Sequence, residues 1–154
     1  MLTFKHKTLI ITAGMVWFVI GVFLLQLGLR LLTGLLLPEA NYSSMFSSMA
    51  NMFGSYENSV IVLILAGLMI GFWKGRVVLA KSVNRVVNRI RSFEEPTSIA
   101  KMYSLPYYLL LLSMIGLGMA IKFFQVPMDI RGAIDVAIGA ALINGSMLYF
   151  RQAR

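Results

Sequence analysis

Apolar residues in this chain fall into long runs with almost no charge between them. A helix needs roughly 20 such residues to cross a ~30 Å hydrocarbon core at about 1.5 Å of rise per residue. Residues 9–29 form the first run, with no charge and one amide, Gln26. Residues 103–121 form an uncharged run whose Pro106 falls in the first turn, where a missing N–H does least harm. Residues 132–150 are interrupted only by Asp135 and Asn144. A shorter run, 59–73, reaches a full span at 59–80 if Lys74 and Arg76 carry their charges to the headgroups along their aliphatic stems. The pattern predicts an all-α integral membrane protein with four transmembrane helices in a single domain, 1–154. The first run is longer than the ~7–15 residues of a signal core and has no small-x-small cleavage site after it, so it reads as an uncleaved anchor.

Two further segments carry helical periodicity outside the spans. Between the first two spans, Met45, Phe46, Met49, Met52 and Phe53 recur at helical spacing among serine, asparagine and alanine. They predict a short outer amphipathic helix on the membrane surface or capping the bundle. After the second span, Lys81, Arg85 and Arg89 stand four apart on one face, and Leu79, Val83, Val86 and Ile90 line another. This predicts a basic amphipathic helix within a cytoplasmic segment 74–101, ended near Glu94-Glu95-Pro96. Lys74, Arg76, Lys81, Arg85, Arg89 and Arg91 are the candidate lipid- or partner-binding residues, each contributing about 1 kcal/mol near an anionic surface.

Charge sets the orientation. The chain has 14 basic and 6 acidic residues in 154. With four spans, Lys5 and Lys7, the seven basic residues from Lys74 to Lys101, and Arg151 and Arg154 share one side. Only Arg30, Lys122 and Arg131 occupy the other. Positive residues favour the cytoplasmic side, so both termini are expected inside, in a plasma or inner membrane. Only 13% of residues are charged and 58% are hydrophobic, and there is no cysteine. A disordered chain, a disulfide scaffold and any thiol chemistry are excluded.

Small residues mark packing faces. Gly67, Gly71 and Gly75 lie four apart, as do Ala133, Ala137, Ala141 and Gly145, and Gly14, Gly21 and Gly28 recur every seventh residue. Such ridges let helix backbones approach closely, within one bundle or in a homo-oligomer. Gln26, Arg30, Lys122, Arg131 and Asp135 all fall at the outer ends of spans. They read as an interfacial polar clasp or as an outer site for a solute or ion, with Asp135 the only acid within a span.

Recognised catalytic signatures are missing: no P-loop, dinucleotide fingerprint, HExxH or serine-nucleophile motif is present. No cofactor or resident metal is expected, although methionine thioethers at Met45, Met49 and Met52 would suit Cu(I). Asn41-Tyr42-Ser43 fits a glycosylation sequon. Nucleic acid is a poor partner, because the basic residues are explained by orientation and no aromatic residue for base stacking lies within 74–91. The first functional reading is a non-catalytic scaffold or accessory subunit, its basic inner helix on anionic lipid or an acidic partner. The competing reading is a homo-oligomeric channel or small-solute transporter that uses the cluster around Asp135. A lipid-modifying enzyme is a third class, without a visible catalytic set.

Overall fold

The computed structural model describes residues 3–94, 97–98 and 105–154. The chain is all-helical in architecture. Its elements are β1 (Thr3–Phe4), α1 (His6–Gly34), α2 (Ser44–Phe53), α3 (Tyr56–Arg91), β2 (Thr97–Ser98), α4 (Leu105–Phe123) and α5 (Met128–Gln152). Among the described residues, α1, α3 and α5 are long and apolar enough to cross a membrane. The protein is membrane-embedded and multi-pass. Lys101 and the start of the expected third span, residues 103 and 104, lie outside the described residues.

Helix α5 is the centre of the bundle, with α1 on one side and α3 on another, and close packing of small residues sets the contacts. Gly67 of α3 faces Ala133, Gly71 faces Ala137, Gly75 faces Ala141, and Leu79 faces Gly145. Both numbers rise together, so α3 and α5 run parallel. Gly28 of α1 meets Gly132 and Val136, Gly21 meets Gly139 and Ile143, and Gly14 meets Tyr149 and Phe150. Here the numbers run in opposite directions, so α1 is antiparallel to both. Without side chains at these glycines the backbones touch, and dispersion contacts accumulate where no hydrophobic effect drives helix association.

The antiparallel pairing of Thr3–Phe4 with Thr97–Ser98 ties the chain before α1 to the chain after α3. The start of α1, the end of α3 and the end of α5 therefore lie together. At this end Leu9, Ile10, Ala13 and Trp17 pack against Val83, Val86, Val87 and Ile90, with Tyr149 and Ala153. At the opposite end Leu32, Leu35, Phe46, Val60 and Val136 make a second core under α2.

Three expectations change. The basic segment is not a separate helix on the membrane surface. It is the last part of one uninterrupted α3 of 36 residues, because no glycine-proline break or cap intervenes between Lys74 and Arg91. Its apolar stripe, Val83, Val86 and Ile90, is covered by α1 and α5 instead of lipid. The beginning of the expected second span is also used differently, since Ser59 and Val60 are buried under the outer cap. Helix α2 buries Phe46 and Ala50, while Met45 and Met52 point outward.

Local signals explain the ends of α2 and α3. Ser43 caps α2 by accepting from the Phe46 amide at 3.3 Å, and Ser55 caps α3 by accepting from the Asn58 amide at 3.1 Å. Gly54 between them takes a φ of 78°, a left-handed turn that glycine accepts without strain.

Candidate functional site

The C-terminal half of α3 presents the candidate cations. Lys74, Arg76, Lys81, Arg85, Arg89 and Arg91 are all exposed. At about 100° per residue, Lys74, Lys81, Arg85 and Arg89 fall on one side of the helix, and the buried Val83, Val87 and Ile90 fall opposite. The same residues that bury the apolar stripe thereby aim the cations away from the bundle. Arg89 stacks over the Phe93 ring at 5.5 Å. Arg91 donates to the Gln152 carbonyl at 2.9 Å, which neutralises an orphan acceptor at the end of α5. Asn84 accepts from the Gln152 side-chain amide beside it. Arg89 and Arg91 also sit in the last turn of α3, where positive charge favours the helix dipole.

Depth along the bundle follows from the contacts. Ala141 is midway between Arg131 and Arg151 of α5, and it touches Gly75. Gly21, near the middle of the uncharged stretch of α1, sits between Gly139 and Ile143. Gly21, Gly75 and Ala141 thus share one level, and Lys74 and Arg76 flank it. Asn144 at a neighbouring level is satisfied: its side-chain amide donates to the Phe72 carbonyl at 2.9 Å.

The outer polar residues do not assemble into one site. Arg131 and Asp135 pair along α5 at 3.9 Å. The Asp135 Oδ2 is shielded from solvent without a hydrogen bond among the described residues. Gln26, Arg30 and Lys122 are exposed, and among the described residues none of them bonds to Asp135. Gly28 meeting Gly132 and Val136 puts Gln26 and Arg30 near the level of Asp135.

A different acid organises this end. Asp129 is buried, with only 1% of its surface exposed. One carboxylate oxygen accepts the Ser43 amide at 2.9 Å and the other the Ser43 hydroxyl at 2.6 Å. Next to it the Met128 amide donates to the Asn41 carbonyl at 3.0 Å. The carboxylate also sits in the first turn of α5, where the helix dipole favours negative charge. It is therefore a structural latch that seats the cap of α2 onto the bundle. An acid just after Pro127 marks a helix start in the sequence, but nothing local names Ser43 as its partner.

Beside the latch lies a hollow of about 580 Å³ between the end of α1 and the start of α3, lined by Leu36, Leu37, Pro38, Tyr42, Tyr56 and Glu57 among others. Tyr42 packs edge to face on Phe46 at 5.7 Å, and both rings lie tilted against Tyr56 at 5.8 Å. Hydrogen bonding to Tyr56 holds the Tyr42 phenol above its ordinary range. Comparison with family models, curated proteins and solved structures finds no match for this chain.

Proposed function

We propose that this is a non-catalytic integral membrane protein, a scaffold or accessory subunit, that holds anionic lipid headgroups on the basic face of α3. It crosses a plasma or inner membrane four times, with both termini on the cytoplasmic side. The observation that carries the lipid role is the division of labour around α3. Its apolar stripe is spent on α1 and α5, and its cations are left exposed along the opposite side. A face so arranged offers electrostatic attraction to lipid phosphates.

The fourth crossing is supported by direction. Because α3 and α5 run parallel, the chain leaving Arg91 returns to the opposite end before Met128, and α4 is the apolar helix in that stretch. The charge bias between the two sides favours the cytoplasmic placement of both termini.

The lipid role is tested by replacing Lys81, Arg85 and Arg89 together with glutamine. Three lost charges at about 1 kcal/mol each amount to roughly a hundredfold weaker retention of anionic lipid. The measurement is the phosphatidylglycerol that stays with the purified protein in mild detergent. Retention equal to that of the parent chain would reject the role. Single cysteines at positions 8 and 154 of this cysteine-free chain test the topology: labelling from opposite sides would reject it.

A further inference from the structure

From the depth of its cations within the bundle, we infer that α3 carries a phosphate seat inside the inner leaflet. Lipid phosphates are drawn below their usual level to meet Lys74 and Lys81, which share one face of the helix. The inference rests on the lipid role proposed above and assigns that role a place and a geometry.

Two helices fix where the hydrocarbon lies. On α5 the apolar stretch lies between Arg131 and Arg151, with Asp135 one turn inside its first end, and on α1 the uncharged stretch lies between Lys7 and Arg30. Packed antiparallel, the two stretches overlap, and their midpoints, Ala141 on α5 and the Phe18–Val19 step on α1, fall within about 4 Å of one another in level. A ~30 Å core centred there extends about ten residues each way along every helix. On α3, whose Gly75 meets Ala141, it covers residues 65–85. Lys74 and Arg76 then stand at the centre and Lys81 about 9 Å toward the inner face. Arg85 marks the boundary, and Arg89 and Arg91 stand beyond it.

At the same levels α1 presents lipid-facing apolar side chains. Met15, Val19, Val22 and Phe23 are 49%, 59%, 42% and 64% exposed. At this depth α1 is apolar throughout, whereas α3 sets Lys74 and Lys81 among exposed apolar side chains, Trp73, Val77 and Val78.

The chain supplies no countercharge. Its six acids are Glu39, Glu57, Glu94, Glu95, Asp129 and Asp135, none of them between positions 58 and 93 and none in α4. Every one belongs to the outer end or to the segment after α3. Lys74, Arg76 and Lys81 make no ion pair among the described residues. A second copy of the chain would bring the same sequence and no acid at this depth. A cation facing hydrocarbon is costly and is relieved by snorkelling, local thinning and polar defects. The abundant anion within reach is the phospholipid phosphate, so the inner leaflet thins along this side of α3.

The test uses the absence of native cysteine. One variant carries Val78→Cys, on the face between Lys74 and Lys81. The other carries Val19→Cys on α1, at nearly the same level. Both positions are exposed, at 60% and 59%. Each is labelled with a nitroxide and the full chain is placed in phosphatidylglycerol-containing nanodiscs. Relaxation of the lipid phosphorus signal is then read. The expected result is a several-fold stronger effect from position 78 than from position 19, reduced when Lys74 and Lys81 are changed to glutamine. Equally strong effects would put this level outside the hydrocarbon, and equally weak ones would show that no phosphate approaches; either overturns the inference. Loss of bound phosphatidylglycerol in the variant lacking Lys81, Arg85 and Arg89 beside equal effects from the two labels would keep the lipid role and reject the seat. Unchanged lipid in that variant rejects the role itself.

Discussion

Gly71→Leu is expected to separate α3 from α5 and leave little folded protein in detergent. A Cβ at this position would lie 2.2 Å from the Ala137 carbonyl oxygen and 2.9 Å from the Ala140 Cβ. The first neighbour is backbone and cannot turn aside as a side chain would. The helices must move apart, and with them go the close contacts at Gly67 and Gly75. Overpacking of this kind costs about 1–3 kcal/mol even in forgiving cores. Here the whole seam is made of dispersion contacts, so the larger end of that range or beyond applies. Gly116 in α4 provides the comparison, since a Cβ there meets no atom within 4 Å. Gly116→Ala should be neutral or more stable by up to about 1 kcal/mol, the helix propensity difference. Denaturant titration of helicity in detergent micelles measures both. A Gly71→Leu chain as stable as Gly116→Ala would show that the seam does not hold the bundle together.

Asp129→Ala is expected to release the outer cap while leaving the bundle intact. The carboxylate takes both donors of Ser43, and hydrogen bonds to a charged group contribute about 1.5–3 kcal/mol each. Their joint loss amounts to roughly 3–5 kcal/mol of local stability. The buried Ser43 amide is left without an acceptor, and the N-cap geometry of α2 loses its anchor. Ser43→Ala removes one of the two bonds and the cap, so a smaller effect of about 1–2 kcal/mol follows. The measurement is the rate of limited proteolysis between residues 39 and 55, alongside the overall melting transition. Faster cleavage with unchanged melting is the expected pair. Cleavage at the parent rate in Asp129→Ala would show that α2 is held by Phe46 packing alone.

How far the structure was legible in the sequence depended on whether a residue's neighbour is local. The stretches at 9–29 and 132–150 lie within α1 and α5, because an uncharged run of that length has few other uses. Glycines and alanines at four- and seven-residue spacing marked the faces that meet, since small side chains at those intervals leave room only for another backbone. The second span was different. An apolar run does not reveal whether lipid or protein covers it, and Ser59 and Val60 went under the cap with Leu32, Leu35 and Phe46. The apolar stripe beyond Lys74 carried the same ambiguity, settled by α1 and Tyr149 of α5. Depth was hidden altogether, for it depends on Gly75 meeting Ala141, a contact between residues 66 positions apart. The latch was hidden for the same reason, as Asp129 and Ser43 are 86 positions apart.

The unbroken length of α3 has a mechanical consequence. Thirty-six residues make a rod of about 54 Å, reaching from beneath α2 to the cations at its C-terminal end. Its glycine seam, from Gly67 to Leu79, binds it to α5 over about a third of that length, so the pair swings as one stiff beam. Pivoting such a beam by about 5° at its outer end carries the inner tip sideways by about 5 Å, roughly one lipid-headgroup radius. Small shifts where α2 is seated are thus magnified at the opposite membrane surface, without any hinge along the way.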